Sequence, residues 1–320
     1  MSNNKNALEE RLFSRENIYL AIYSVESYIH DKFLLSDADK KALSLLHDKY
    51  NMENINKWID DVKKRINSIM MHGRYIQAKV YFKPKKYEAG RVRFRPMHTT
   101  TLKDYIASVA MLNVLIYEFD SEGIMKKSIL ANSIPHNFYG NRIAYTADRL
   151  FKPWNLQYKK YTMYANECFK DYHRNGDYEW ELALDIKDFF PSIDLLCLYN
   201  FLCEKLPVSY TKAEKRFACK IIEKLLFVKI QNMNEAERKI YLNRDIVPEK
   251  ISFAVGLAQG LPQGYVFANL FMTKIEKIYQ EHFLGKMLFY VDDSVIFTNS
   301  ISSVDEVNNE LDSINMEIAV

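Results

Sequence analysis

The sequence predicts an α+β fold, an antiparallel sheet with helices packed behind it, joined to a mostly helical region that carries one basic hairpin. Three observations lead there. Apolar residues recur at helical spacing in the N-terminal region, and the period changes to two across residues 75–95. Near the C-terminus two short apolar runs, 287–291 and 294–297, are separated only by Asp292 and Asp293, which reads as a tight antiparallel hairpin.

A chain of 320 residues is long enough for two domains or for one elaborated catalytic body with a sizeable core. Its 48% apolar and 27% charged content is ordinary for a globular protein. No stretch nears the ~18 unbroken apolar residues of a membrane span, so no membrane partner is expected. The start, Met1-Ser-Asn-Asn-Lys-Asn, lacks the basic and apolar segments of a signal peptide, and a cytoplasmic location is expected. Cys168, Cys197, Cys203 and Cys219 form neither a CxxC pair nor a metal-ligand spacing and read as reduced, packed thiols. The net charge of +3 is too small to announce a polyanionic partner. Its distribution says more: residues 74–95 hold eight basic side chains against the single acid Glu88, a surface that attracts polyanions.

In chain order, Ile18, Ile22, Val25, Ile29 and Phe33, then Trp58, Val62, Ile66 and Ile69, fall at helical spacing and predict a scaffold of helices. A strand is predicted around 78–82, followed by a turn region with Pro84 and Gly90 and a returning strand, Arg91-Val-Arg-Phe-Arg95. There Arg91, Arg93 and Arg95 share one face while Val92 and Phe94 share the other. Three like charges on one face repel unless an anion sits among them, which favours phosphate contact over a solvated face. Residues 102–119 read as a helix, and a loop with Pro135 leads to His136-Asn-Phe-Tyr-Gly-Asn-Arg142. A second helical segment, 151–168, puts Trp154, Tyr158 and Tyr161 on one stripe near Lys152, Lys159 and Lys160. Stripes at this spacing are more often core than base-stacking platforms, and core is the expectation. No internal repeat, low-complexity tract or flexible linker interrupts the chain.

Trp180-Glu-Leu-Ala-Leu-Asp185-Ile186 is a strand-like run ending in an acid, and Ser192 is the expected N-cap of a helix at 195–206. Two-residue hairpins favour Asn-Gly or Asp-Gly because the backbone passes through positive φ, whereas Asp292-Asp293 has no glycine and sets two carboxylates side by side. Flanked by buried strands, such a pair resists ionisation unless a cation neutralises it, and magnesium is the usual oxygen-seeking choice. With the Asp185 strand beside the hairpin, three carboxylates meet at one end of a sheet. Such a site can hold two magnesium ions roughly 3.5–4 Å apart for phosphoryl transfer. Taken singly, Asp185 reads as a strand-end acid and Tyr-x-Asp-Asp is a weak string. A third element, Gly260-Leu-Pro-Gln-Gly264, precedes a helix expected at 266–283, and its glycines let backbone and Gln263 approach a base or sugar closely.

Together and in this order, Asp185-Ile-Lys-Asp-Phe-Phe190, Leu261-Pro-Gln-Gly264 and Tyr290-Val-Asp-Asp293 resemble motifs A, B and C of reverse transcriptases. Arg93-Phe-Arg-Pro96 and Phe138-Tyr-Gly-Asn-Arg142 resemble the fingers segments of bacterial members. Phe151-Lys-Pro-Trp154 and Asp188-Phe-Phe-Pro-Ser-Ile-Asp194 are similar to the abortive-infection and defence-associated group. The resemblance implies the polymerase right-hand fold: an N-terminal helical region at 1–74, fingers with the basic hairpin at 75–179 and a palm at 180–320. A thumb is not evident, so a fragment or a thumb supplied by a partner is expected. It also implies RNA-directed DNA synthesis in bacterial antiviral defence, with two magnesium ions, RNA and DNA as template and primer, and dNTPs. A non-coding RNA or a partner protein is a further candidate.

By the same resemblance Asp185 and Asp292 bind metal, Asp293 completes the acidic site and the Ile186 carbonyl is a further ligand. Phe190 takes the steric-gate position beneath the sugar, Gln263 and Gly264 line the nucleotide pocket, and Arg95, Arg93 and Lys83 hold the triphosphate. Arg91, Arg142 and Tyr290 meet nucleic acid. The run Tyr265-Val-Phe-Ala-Asn269 lacks the Ser-Pro common after Gln-Gly, so the helix start and the template contact are expected to be unusual. Two other readings stay open: untemplated or self-primed DNA synthesis, and a nucleic-acid-binding scaffold whose polymerase site is unused.

Overall fold

Each of the first four helices starts at a side chain that accepts a backbone N–H from its first turn: Asn6 for α1 (Ala7–Leu12), Ser14 for α2 (Arg15–Tyr23), Ser36 for α3 (Asp37–Leu46) and Asn51 for α4 (Met52–Met71). The computed structural model describes residues 6–319 apart from 30, 49, 89–90, 120–124 and 301–303. The expected stripe holds through Ile18, Ile22, Val25 and Ile29, all buried, but Phe33 is 69% exposed. α2 ends at Tyr23, and the short 3₁₀ turns that follow have a period nearer three, which rotates Phe33 off the stripe. On α4, Val62, Ile66 and Ile69 are buried as expected.

The basic hairpin is present and longer than the sequence indicated: β1 (Gln77–Glu88) pairs antiparallel with β2 (Arg91–Thr100), while the expected turn glycine, Gly90, lies outside the described residues. The register slips between Pro84 and Lys86, leaving Lys85 as the extra residue of a bulge. Next comes α5 (Leu102–Ile116), buried at every position except Lys103, and a helix apolar all round belongs at the centre of a core. It packs on α2 and α4, and Arg65 of α4 donates to the Asp104 carboxylate at 2.5 and 2.9 Å. The helix stops before 119, because residues 117–119 form β3 (Tyr117–Phe119), paired with β4 (Met125–Lys127). Then follow α6 (Ile129–Asn132), the small hairpin of β5 (Ile143–Thr146) and β6 (Arg149–Phe151), and α7 (Trp154–Lys170).

Here one expectation is overturned. Of the proposed core stripe on α7 only Tyr161 is buried, while Trp154 and Tyr158 are 69% and 49% exposed. β7 (Trp180–Leu184) and the short α8 (Phe189–Ser192) lead to α9 (Leu195–Glu204). Its N-cap is Asp194, which accepts the Cys197 N–H at 2.7 Å, so the expected cap, Ser192, ends the preceding turn instead. After α10 (Lys212–Leu226), β8 (Lys229–Ile230) joins β1 in parallel, and α11 (Glu235–Leu242) follows. The buried α12 (Pro262–His282) begins on a proline at its first position, earlier than expected, so Gln263 and Gly264 lie inside the helix. β9 (Gly285–Tyr290), β10 (Asp293–Thr298) and α13 (Val304–Asp312) complete the chain.

The site is organised by the antiparallel sheet β7-β10-β9, with α12 and α13 packed together behind it, and the fold class is α+β as expected. Among the described residues no helix is long and apolar enough to cross a membrane, and all four cysteines are free thiols.

Candidate active site

β10 lies between β7 and β9, and Ser294 pairs with Leu184, so one step further along Asp293 comes beside Asp185, the residue just past β7. Asp293 is the first residue of β10 and pairs with Tyr290. The turn therefore consists of Val291 and Asp292, one residue earlier than the sequence suggested. Val291 takes the positive φ, 63°, that a glycine would ordinarily supply. A β-branched residue held there stores strain on the order of 1–3 kcal/mol.

A cavity of about 340 Å³ opens over this end of the sheet, lined by Asp185, Ile186, Asp292 and Asp293 together. Burial pushes the Asp292 carboxyl up to about 6; Asp185 and Asp293 push the same way, while its own N–H and Arg95 oppose them. Asp293 is also raised, by burial first and then by Asp185. None of the three forms an ion pair with a basic side chain among the described residues. Nor, among those residues, is any group of three or more His, Cys, Asp or Glu side chains gathered tightly enough to hold a metal ion. Mutual repulsion keeps carboxylates apart until a cation draws them in. Hard oxygen donors, two of them partly desolvated and none ion-paired with a basic side chain among the described residues, suit a divalent cation. Among the described residues the Ile186 carbonyl accepts no backbone hydrogen bond outside regular elements, and a bridge to Ile318 holds the residue beside the site.

The facing wall brings Arg95 from β2, Phe190 from α8 and Tyr265 from α12, with Tyr290 alongside. Phe190 is 5% exposed, its ring meeting Phe189 and Tyr265 edge-on at 5.5 and 6.1 Å. Its carbonyl accepts the Leu257 N–H at 2.8 Å. Across the hairpin Lys83 stands opposite Arg95 and Lys86 opposite Arg93. Directly opposed like charges destabilise a ladder unless an anion intervenes.

Other expected site residues are not on this cavity. Lys83, opposite Arg95, and Arg93, nearer the hairpin tip, are exposed and do not line it, and the Arg91 side chain lies outside the described residues. Gln263 is 1% exposed and, among the described residues, neither of its amide atoms has a hydrogen-bond partner. Gly264 packs so closely that a Cβ there would sit 2.5 Å from the Ala258 carbonyl oxygen. Arg142 donates through Nη1 to the carbonyls of Pro135, His136 and Phe138, at 2.9, 3.2 and 2.5 Å, so its guanidinium ties its own loop together.

The sequence profile of the family described as "Reverse transcriptase (RNA-dependent DNA polymerase)" matches residues 85–319, which include β2 of the basic hairpin, the cavity lining and all three carboxylates. The chain belongs to the reverse transcriptase family. The structure is also similar to a Sicinivirus 3Dpol RNA dependent RNA polymerase, with a TM-score of 0.44 and 13% identity over 81% of this chain. That alignment takes in 48% of the viral chain, so this protein spans about half its length. No curated protein matches.

In this family member the β9–β10 hairpin is buttressed from the β9 side. Phe289 of β9 donates its N–H to Asn137 at 2.9 Å and accepts from Tyr139 at 2.8 Å, while the Phe138 and Phe289 rings stack at 4.6 Å. Asn137 Nδ2 donates to buried Glu276 of α12 at 2.8 Å, and Asn269 Nδ2 donates to the Gly140 carbonyl at 2.8 Å. His136-Asn-Phe-Tyr-Gly-Asn-Arg142 is thus a clamp between α12 and the hairpin. Among the cavity residues that sequence reasoning missed are Lys85, Tyr265 and Gln259. Tyr265 was signalled by following Gln263-Gly264 directly; Lys85 depends on a bulge that no local pattern announces. It also missed buried His98, whose backbone N–H donates to the Gln259 carbonyl at 2.7 Å and so ties β2 to the loop before α12.

Proposed function

We propose that this reverse transcriptase is an RNA-directed DNA polymerase that adds deoxynucleotides to a primer by two-metal nucleotidyl transfer. The convergence of Asp185, Asp292 and Asp293 on one cavity, with Arg95 in its facing wall, carries the reading. Residues 1–74 act as a helical scaffold, 75–179 as fingers and 180–320 as palm.

Asp185, Asp292 and Asp293, with the Ile186 carbonyl, would hold two magnesium ions. When bound, those ions supply an activated primer hydroxyl and neutralise the charge that develops on the transferred phosphoryl group. The remaining roles fall to the chain itself. Arg95, with Lys83 opposite it and Arg93 further out, binds the triphosphate, and the opposed cations of the hairpin gain from the anion between them. Phe190 lies under the sugar and excludes a 2′-hydroxyl. The unpaired amide of Gln263 supports a nucleotide contact, since a buried polar group without a partner costs about 1–3 kcal/mol. Gly264 admits close backbone approach, and Tyr290, Arg91 and Arg142 would meet template and primer. A role in bacterial antiviral defence, in the cytoplasm and with a non-coding RNA or protein partner, is supported by the resemblance of the Phe151-Lys-Pro-Trp154 and Asp188-to-Asp194 strings.

The test is extension of a labelled DNA primer with magnesium on an RNA template, on a DNA template and with no template, by wild type and by Asp292→Asn/Asp293→Asn. Incorporation on RNA by wild type alone is expected. No incorporation by wild type, or equal incorporation by the variant, overturns the assignment, and template-free extension would replace its RNA-directed part.

A further inference from the structure

Beside the candidate active site, α7 is covered on one narrow seam only. Gln157, Tyr161 and Cys168 are its buried residues, whereas Trp154, Tyr158 and Phe169 are 69%, 49% and 40% exposed. At about 3.6 residues per turn these three aromatic residues fall on one flank, with the small side chains of Thr162 and Ala165 between the second and third. That flank starts at the hairpin. The rings of Tyr158 and Tyr161 meet Tyr290 at 5.2 and 5.6 Å, and Tyr290 pairs with Asp293. The row from Tyr290 through Tyr158 to Trp154 therefore leads away from the carboxylates along the protein surface.

Charge decides what the row suits. From Lys152 to Lys170 the chain carries four lysines and a single acid, Glu167. Exposed apolar surface of this extent marks an interaction site. Around the helix Lys159, Lys160 and Lys170 fall about 100° or more from Tyr158, so the row presents rings to the bases of a single strand and the adjoining flank presents charge to its phosphates. From Trp154 to Phe169 the platform runs about 22 Å at about 1.5 Å per residue.

We infer that the α7 flank of Trp154, Tyr158 and Phe169 is a stacking platform for single-stranded nucleic acid entering or leaving the catalytic hairpin. The direction of the strand rests on the polymerase reading; the platform does not.

The chain has three tryptophans, so Trp58→Phe with Trp180→Phe leaves Trp154 as the only indole. In that background, saturating oligothymidylate quenches the emission, and adding Tyr158→Ala with Phe169→Ala weakens binding by about tenfold or more. Lys159→Gln with Lys160→Gln lowers the salt slope of binding. These side chains are exposed, so unchanged melting temperatures accompany the losses. Unchanged Trp154 emission with oligothymidylate, whether it binds elsewhere or not at all, overturns the inference. So does an unchanged affinity in Trp154→Ala/Tyr158→Ala/Phe169→Ala accompanied by a shift in sedimentation, which makes the flank a protein contact. A chain that quenches but never extends a primer keeps the platform and loses the polymerase. One that extends normally with the flank truncated does the reverse.

Discussion

Gly140 lies against Val291: a Cβ on Gly140 would stand 2.6 Å from Val291 Cγ2 and 2.7 Å from its backbone nitrogen. The contact joins the loop clamped by Asn137 and Asn269 to the turn that carries Asp292. Val291 keeps a conformation that L side chains rarely adopt, which persists only where surrounding structure over-determines it. Gly140→Ala should therefore push on the turn. Overpacking of this kind costs about 1–3 kcal/mol, so a lower melting temperature and a larger loss of incorporation are expected together. A variant with wild-type stability and activity would mean that the loop does not buttress the hairpin.

The raised Asp292 carboxyl gives a pH signature in chelator. Its pKa lies near 6 in the fold and 3.8 when unperturbed, so the native state holds the proton more tightly. The associated stability is present below about pH 4 and is lost as pH rises through 6. Asp292→Asn should then exceed wild type in stability at pH 8, by up to about 3 kcal/mol, with the gap closing near pH 4. Magnesium should raise the melting temperature of wild type and leave Asp292→Asn/Asp293→Asn unmoved. Equal magnesium effects on both proteins would remove the pair from the metal site.

His98 should show the opposite pH dependence. Its Nδ1 lies 3.1 Å from the Gln259 carbonyl and its Nε2 3.1 Å from the Tyr241 hydroxyl, whose oxygen accepts the Val255 N–H at 3.0 Å. A carbonyl only accepts, so Nδ1 carries the proton and Nε2 accepts from Tyr241. Burial depresses the imidazole to about 4 from 6.5. Its contribution is whole above pH 6.5 and is lost as pH falls toward 4, by up to about 3 kcal/mol. His98→Asn should flatten that slope in urea titrations at stepped pH, and parallel slopes would show that the ring is not what titrates.

What the sequence showed and hid divides along physical lines. The carboxylates were legible because Asp185, Asp292 and Asp293 sit at strand ends whose apolar patterns are local. Relationships set by tertiary contact were not. Tyr158 and Tyr161 share a helical period and both meet Tyr290, yet only Tyr161 is buried; Asp194 displaced Ser192 as cap because α8 occupies 189–192. Gln263 read as a loop residue, since nothing local tells that Pro262 opens the helix.

Neutralising the hairpin tests the anion site. Arg93→Gln with Arg95→Gln should raise KM for dNTP several-fold, most at low salt, because screened contacts contribute less to begin with. Relief of the Lys83–Arg95 opposition should leave stability unchanged or slightly higher. An unchanged KM at low salt would return the strand to a solvated face.

Phe190 is both wall and core, and the two roles predict different things. Its ring lines the cavity with the carboxylates, yet it is 5% exposed and packed on Phe189 and Tyr265. Truncation to alanine should cost about 3–5 kcal/mol and lower the melting temperature, whatever the ring does for the sugar. Phe190→Val keeps part of the volume and should cost less, while still opening room at the 2′ position. As a gate, the ring discriminates sugars without touching the carboxylates. The ratio of kcat/KM for dGTP to that for rGTP should then collapse in Phe190→Val, while kcat/KM for dGTP falls only modestly. As core alone, both sugars lose in proportion to the loss of folded protein and the ratio stays fixed. A fixed ratio in a folded, active Phe190→Val enzyme would remove the sugar-facing role and with it the main residue-level reason for calling the product DNA.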